Sequence, residues 1–231
     1  MSNTYCSFPK KVAWELRNIF IFEPSIFPEL EIKDYEQYHR DLCHVDYLSK
    51  LRLDLISDWI VPNSSVLNVC CGEGWVDKEL VKRKNVMPYG IDISETAIKK
   101  YKEKGFSAKV VDVEKEAINV FERKFDYVLL MEALEHLKNP QKVLLESCKV
   151  ATKGVIVTMP NSAYVQWRFQ MFRGYCPRQS FTHLHYWGIN DFELFLHEMG
   201  LKVLDMRTEC GRVLSHLKNF WAYQQCWLIK P

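Results

Sequence analysis

Short β-branched runs recur through the middle of this 231-residue chain, and helical patterns separate them. The runs fall at 65–70, 87–91, 108–111, 125–130 and 154–158; the helical stretches lie at about 76–84, 95–104 and 140–150. Strands alternating with helices of this length predict βαβ units, and hence a parallel sheet covered on both faces. Ser94 is a good N-cap for the second helix and Gly105 a good stop. A further helix follows Asn190 and runs to about Met199, with Gly200 as its stop. Two strand candidates close the pattern, 201–207 and 222–229, joined by a polar loop. Upstream, Leu42, Val45, Leu48, Leu51, Leu55 and Ile56 recur at helical spacing across 39–60, predicting one amphipathic helix that Pro62-Asn63 ends.

This organisation sets the domain expectation. Residues 1–38, with Pro9, Pro24 and Pro28 among aromatics, read as an N-terminal extension over the core, and 39–231 as a single domain. At 48% hydrophobic and 26% charged, the chain has the composition of a soluble globular protein. A net charge of +2 argues against a protein coated in nucleic acid or spread on a membrane. Residues 1–11 lack the apolar run of a secretory signal, and no stretch approaches the ~18 apolar residues of a membrane span, so a cytoplasmic location is expected. The eight cysteines carry no C-x-x-C pair and no zinc-finger spacing, as expected of ordinary thiols in a reducing compartment.

The first strand runs into Asn68-Val69-Cys70-Cys71-Gly72-Glu73-Gly74-Trp75 and then a helix. Two glycines at a strand-to-helix turn let backbone approach a ligand, and the helix beyond offers unpaired N–H groups. The same pair also suits a tight turn with no ligand. The second strand ends in Gly90-Ile91-Asp92-Ile93, with Asp92 20 residues after Gly72. At that offset an acid on the strand's carboxyl edge can accept from both hydroxyls of a ribose. The third ends in Val111-Asp112-Val113-Glu114, where a carboxylate can accept from an adenine amino group. A dinucleotide such as NAD wants a third glycine where Asp77 stands.

With these residues in place, Val66-Leu67-Asn68-Val69-Cys70-Cys71-Gly72-Glu73-Gly74 resembles motif I of the class I S-adenosylmethionine-dependent methyltransferases, and Gly90-Ile91-Asp92-Ile93-Ser94 resembles motif II. Phe125-Asp126-Tyr127-Val128 and Met131-Glu132-Ala133-Leu134-Glu135-His136-Leu137 resemble the fourth strand and its exit. The similarity spans about 45–205, in particular to the MetW-like and methyltransferase type 11 families. It implies a Rossmann-like, three-layer αβα sandwich with a seven-stranded, mostly parallel sheet and an antiparallel last strand. It implies S-adenosylmethionine as cofactor, S-adenosylhomocysteine as product, and a cofactor site at Asn68, Cys70, Gly72, Gly74, Asp92, Ile93, Asp112, Val113 and Met131. Two positions depart from the pattern. Asn68 stands where an acid is usual and keeps the hydrogen bond without the charge. Cys70 replaces a glycine and asks for more room.

Glu132, Glu135 and His136 follow the fourth strand at a spacing that puts them on one face of a helix. They read either as a helix-terminal acidic pair with a locally bonded histidine, or as part of a divalent-metal site. The second reading resembles the ubiquinone-pathway O-methyltransferases and the small-RNA 3′-end 2′-O-methyltransferases. In the latter a further histidine precedes the last helix, and His183 lies correspondingly here. Oxygen and imidazole ligands from Glu132, Glu135, His136 and His183 suit Mg²⁺, Mn²⁺, Fe²⁺ or Zn²⁺. Without metal, His136 and His183 are the candidate catalytic bases.

Residues 161–190 contain no Asp or Glu before Asn190, and carry Arg168, Arg173 and Arg178 among eight aromatic side chains. That stretch reads as core packing with solvated arginines, or, across 161–187, as a lid over an acceptor pocket favouring a planar or anionic substrate. A basic and aromatic stripe also suits single-stranded nucleic acid, but the low net charge and Pro160-Asn161 in place of N-P-P-[YF] disfavour that partner. Tyr35, Tyr38 and His39 read as closing over the cofactor or as packing. Three functions follow: methyl transfer to an O, N or S atom of a small anionic or aromatic acceptor; a MetW-like regulatory partner protein without turnover; and an RNA 2′-O-methyltransferase.

Overall fold

A computed structural model describes residues 47–174, 182–209 and 217–231. It opens with α1 (Tyr47–Ile56) and a short 3₁₀ turn, Ser57–Trp59. The alternating region then delivers β1 (Ser65–Val69), α2 (Trp75–Lys84), β2 (Met87–Asp92), α3 (Glu95–Glu103), β3 (Ser107–Val110) and β4 (Phe125–Met131). A 3₁₀ turn, Leu134–His136, leads to α4 (Pro140–Val150), β5 (Ala151–Pro160) and α5 (Val165–Phe172). The last elements are α6 (Ile189–Glu198), β6 (Val203–Thr208), α7 (Lys218–Trp221) and β7 (Gln224–Ile229).

The seven strands lie in the order β3-β2-β1-β4-β5-β7-β6. Pairings from β3 through β5 are parallel, while β7 runs antiparallel to both β5 and β6. Every residue of β1 is buried, as a central parallel strand with helices on both faces requires. One face carries Leu67, Val69, Val128, Leu130, Val155 and Val157 against Val143 and Leu144 of α4 and Phe192 and Leu196 of α6. The other carries Val66, Leu129 and Ile156 against Leu53 and Ile56 of α1 and Leu80 of α2. The period-2 alternation within β1, β4 and β5 thus feeds two separate apolar layers. This is the expected three-layer sandwich.

Local chemistry ends the helices where the sequence predicted. Ser94 Oγ accepts from Ala97 N at 3.0 Å, capping α3. Gly105 and Gly200 adopt φ of +83° and +70°. Asn139 caps α4 through Lys142 N, with Pro140 at its first position. Three expectations shift. The third strand is Ser107–Val110 rather than 108–111, so Asp112 lies two residues beyond it. The last strand begins at Gln224 rather than 222, because residues 218–221 form the short helix α7. The helix expected over 39–60 ends at Ile56 in the 3₁₀ turn, and its part before residue 47 lies outside the described residues, as do the extension with Tyr35, Tyr38 and His39. Among the described residues, no helix is long and apolar enough to cross a membrane.

Candidate functional site

Parallel strands deliver their carboxyl ends to one edge of the sheet, and the predicted site residues gather at the ends of β1, β2 and β4 there. At β1 the chain turns through Cys70, Gly72 and Gly74, all left-handed, with φ of +56°, +51° and +75°. Gly74 cannot be replaced without movement, because a Cβ there would lie 2.4 Å from the Tyr101 ring. Gly90 on β2 is equally confined, 2.6 Å from Cys71 Sγ. Cys70 meets a further demand that the sequence did not show: a left-handed backbone, which an L residue adopts at a cost. Burial, first, and the carboxylates of Asp92 and Glu135 push its thiol far above the usual cysteine range.

Asp92 closes this turn. One carboxylate oxygen accepts from Gly72 N at 2.9 Å, the other from Ser94 N at 3.0 Å. The buried acid so ties the end of β2 to the glycine turn and to the start of α3. Each oxygen retains a lone pair with which it can accept from a ligand hydroxyl. Beside it Ile93 is 49% exposed, an apolar surface at the strand exit suited to a planar ring. Asp112 accepts from Glu114 N and pairs with Lys115 at 2.8 Å, which holds its carboxyl below the usual range. Val113 is buried, and Met131 packs on the α1 side of the sheet at the end of β4.

Asn68 is committed below the turn: its Nδ2 donates to Asp77 Oδ2 at 2.7 Å, both groups being buried. Burial lifts the Asp77 carboxyl to about 6 against this hydrogen bond. The sequence pointed to Asp77 only as a missing glycine; its partner 9 residues away became visible through the fold.

The reaction end is built by two distant segments. Leu184 N and His185 N both donate to Glu135 O, at 2.7 and 3.2 Å. His136 Nδ1 meets Thr182 O at 3.1 Å, and His185 Nε2 meets Leu137 O at 2.9 Å. His185 further stacks on Trp187, centroids 4.9 Å apart. Neither Thr182 nor His185 stood out in the sequence, since their partners lie more than 40 residues away. A carbonyl can only accept, so His136 carries its proton on Nδ1 and presents a lone pair on Nε2. Ligand atoms of Glu135, His136 and His183 lie within 4.8 Å of one another. Neither Glu135 oxygen meets a hydrogen-bond donor from another residue, and His183 Nδ1 is likewise buried without a partner. Burial, reinforced by Glu132, raises the Glu135 carboxyl well above its ordinary range. Burial and His136 lower His183 to about 4, and burial lowers His136.

Glu132 departs from expectation. The turn after β4 is a 3₁₀ segment that starts at Leu134, so Glu132 is not on a shared helical face with Glu135 and His136. It sits instead at φ +52°, with its carboxylate 3.2 Å from Arg52 Nη1 of α1 and accepting from Thr158 Oγ1. Its place is against α1, outside the Glu135–His136–His183 group.

Beyond β5, Asn161 joins the strand end to the segment between α7 and β7, donating Nδ2 to Ala222 O at 2.8 Å. Tyr164, Val165 and Gln170 of the following segment are buried, whereas Phe172 is 87% exposed. Arg168 donates Nε to Ala163 O and lies over the Phe220 ring. Arg178 and the other residues of 175–181 lie outside the described residues.

Comparison with known proteins agrees with this fold. The chain is 32% identical over 147 residues to the ubiquinone biosynthesis O-methyltransferase of Hahella chejuensis (strain KCTC 2396), a match covering 60% of each chain. It therefore spans about three-fifths of that relative's length. Among solved structures it is similar to a SAM dependent methyltransferase from Archaeoglobus fulgidus, with TM-score 0.59, 18% identity, and 80% and 93% of the two chains covered. It is similar also to magnesium protoporphyrin IX methyltransferase (ChlM) from Synechocystis PCC 6803 with bound SAH, with TM-score 0.59, 14% identity, and 84% and 92% covered. The fold is that of the class I methyltransferases. Residues 50–221 match the family described as methionine biosynthesis protein MetW, and the chain belongs to that family.

Proposed function

We propose that this chain is an S-adenosylmethionine-dependent methyltransferase acting on an O, N or S atom of a small anionic or aromatic acceptor. The observation that carries the reading is one sheet edge holding both a glycine turn locked by Asp92 and a Glu135–His136–His183 group in which Glu135 is buried and the histidines are partly buried. The ribose hydroxyls would bond to Asp92, the adenine would lie along Ile93 toward Asp112 and Val113, and the amino-acid end would meet Asn68 and the turn from Cys70 to Gly74. Met131 would border the methyl group from the end of β4. The sulfonium of the donor supplies an activated methyl whose leaving group is a neutral thioether. Alignment of acceptor and methyl would supply much of the rate.

A divalent cation fits the second group. Two imidazoles and a carboxylate converge, and the carboxylate and His183 Nδ1 are buried without partners. His136 Nδ1–H is already held by a backbone carbonyl, the arrangement that presents Nε2 to a ligand. Bound there, the cation would lower the pKa of an acceptor hydroxyl. If methyl transfer instead persists after exhaustive chelation, His136 Nε2 is the base that takes the acceptor's proton.

The segment 161–187 is read as a lid within a domain of 39–231. The exposed Phe169, Met171 and Phe172 of α5 support that reading. The test is calorimetric titration with S-adenosylmethionine and S-adenosylhomocysteine, NAD as control, followed by thermal melts with Mg²⁺, Mn²⁺ and Zn²⁺. Micromolar cofactor binding is expected, with NAD silent. A saturating cation, at about 100 times its Kd, is expected to add about 2.7 kcal/mol in wild type and little in His183→Ala. Absence of any cofactor heat leaves the MetW-like regulatory role as the better reading.

A further inference from the structure

A fully buried carboxylate normally has a cation or several donors around it, because isolated charge is costly to desolvate. Asp77, in the first turn of α2, has only neutral neighbours. Its Oδ2 accepts from the neutral Asn68 amide, and its Oδ1 has no hydrogen-bond partner. The Tyr101 hydroxyl of α3 faces the carboxyl as a neutral donor that favours its ionised form, and the Cys71 thiol of the turn is the other titratable group beside it; both are buried and uncharged. No cation pairs with it among the described residues. Its partner Asn68 stands one residue before the carboxyl end of β1.

We propose that Asp77 is a positioning residue for the cationic, amino-acid end of the cofactor, acting through Asn68. An ionised carboxylate can only accept, so it holds Asn68 with Nδ2 turned toward it and leaves Oδ1 as the atom presented to the ligand. A carbonyl oxygen receives an ammonium group; an amide NH₂ would repel it. The charge itself lies one side chain further back, in a poorly screened interior where its attraction for a cation remains strong. Protonated Asp77 can donate, which frees the Asn68 amide to reverse. The lifted Asp77 carboxyl, near 6, brings this reversal close to neutral pH.

The inference rests on the cofactor reading above, and two ligands separate it from that reading. S-adenosylhomocysteine carries the ammonium; 5′-methylthioadenosine has the same nucleoside without it. In calorimetry, Asp77→Asn is expected to weaken S-adenosylhomocysteine about tenfold, as for one lost charge-assisted contact, and to leave 5′-methylthioadenosine unchanged. Asn68→Asp combined with Asp77→Asn moves the acid to the front of the pair and should restore the lost affinity. Between pH 5 and 8, wild-type affinity for S-adenosylhomocysteine should rise, while that of Asp77→Asn stays flat. Equal weakening of both ligands, or no weakening of S-adenosylhomocysteine, overturns the inference alone. A wild-type protein that binds neither ligand overturns the cofactor reading, and this inference with it.

Discussion

The two ends of the proposed site differ in how their polar groups are satisfied. At the glycine turn, Asp92 and Gly72 are 20 residues apart, and both Asp92 oxygens bond to backbone N–H groups. At the reaction end, Glu135 and His183 come from segments joined only by the whole of α4, β5 and α5, and they meet as buried groups without partners. The backbone around them is nonetheless fixed by four bonds between 135–137 and 182–185. A turn that completes its own hydrogen bonds is a structural unit with a ligand added to its surface. At the second end the two segments are tied together while Glu135 and His183 Nδ1 stay unpaired, which is what the proposed cation site requires.

The sharpest way to break this comparison is to disable each end separately. His136→Ala is expected to lower methyl transfer by about 100-fold or more, within the range for loss of a positioned acid–base group, while S-adenosylhomocysteine affinity stays near wild type. Loss of cofactor affinity in that variant would mean that the two ends are one unit. Asp92→Ala should show the reverse asymmetry, costing about 3 kcal/mol or more in cofactor binding as ribose and backbone donors lose a charged acceptor. It should also lower the melting temperature, since Gly72 N and Ser94 N are left unbonded.

Asp77 gives an effect of similar size but opposite sign on stability. Its carboxyl rises from 3.8 unfolded to about 6 folded, so the folded state holds the proton more tightly. Stability from this group is present below pH 3.8 and lost as pH rises through about 6. A rise of that size corresponds to roughly 3 kcal/mol. Urea unfolding at pH 8 should therefore find Asp77→Asn more stable than wild type by up to that amount, and the difference should vanish near pH 4. A destabilised variant at pH 8 would show that the hydrogen bond to Asn68 outweighs the buried charge. The smallest effect is expected at Cys70, where glycine relieves a left-handed backbone: Cys70→Gly should gain at most about 1 kcal/mol. Unchanged cofactor affinity there would place the family departure at position 70 in stability and not in binding.

Much of the first end was legible because its determinants are local. Gly72, Gly74, Asp92 and Ser94 lie within one βαβ unit, where turn geometry and capping follow from residue type and short spacing. Glu132 lies elsewhere for a related reason: its spacing implies a helical face shared with Glu135 and His136, but the chain bends there at φ +52° and the acid meets Arg52 and Thr158 instead. His183 was found by resemblance and not by pattern, and Thr182 and His185, which hold the loop in place, left no sequence signal. Asp77 was visible as an odd residue in a glycine position, yet its bond to Asn68 and its burial were not.

By itself, then, the sequence determined the alternating elements, their caps and the carboxyl-edge turn, since each depends on interactions within about one turn of helix or one strand connection. The tertiary structure decided which of the acids and histidines meet. Strand order and the return of residues 182–187 over the β4 exit set distances between groups far apart in the chain. Burial then shifted their affinity for protons, because desolvation depends on everything packed around a group and on nothing in its local sequence.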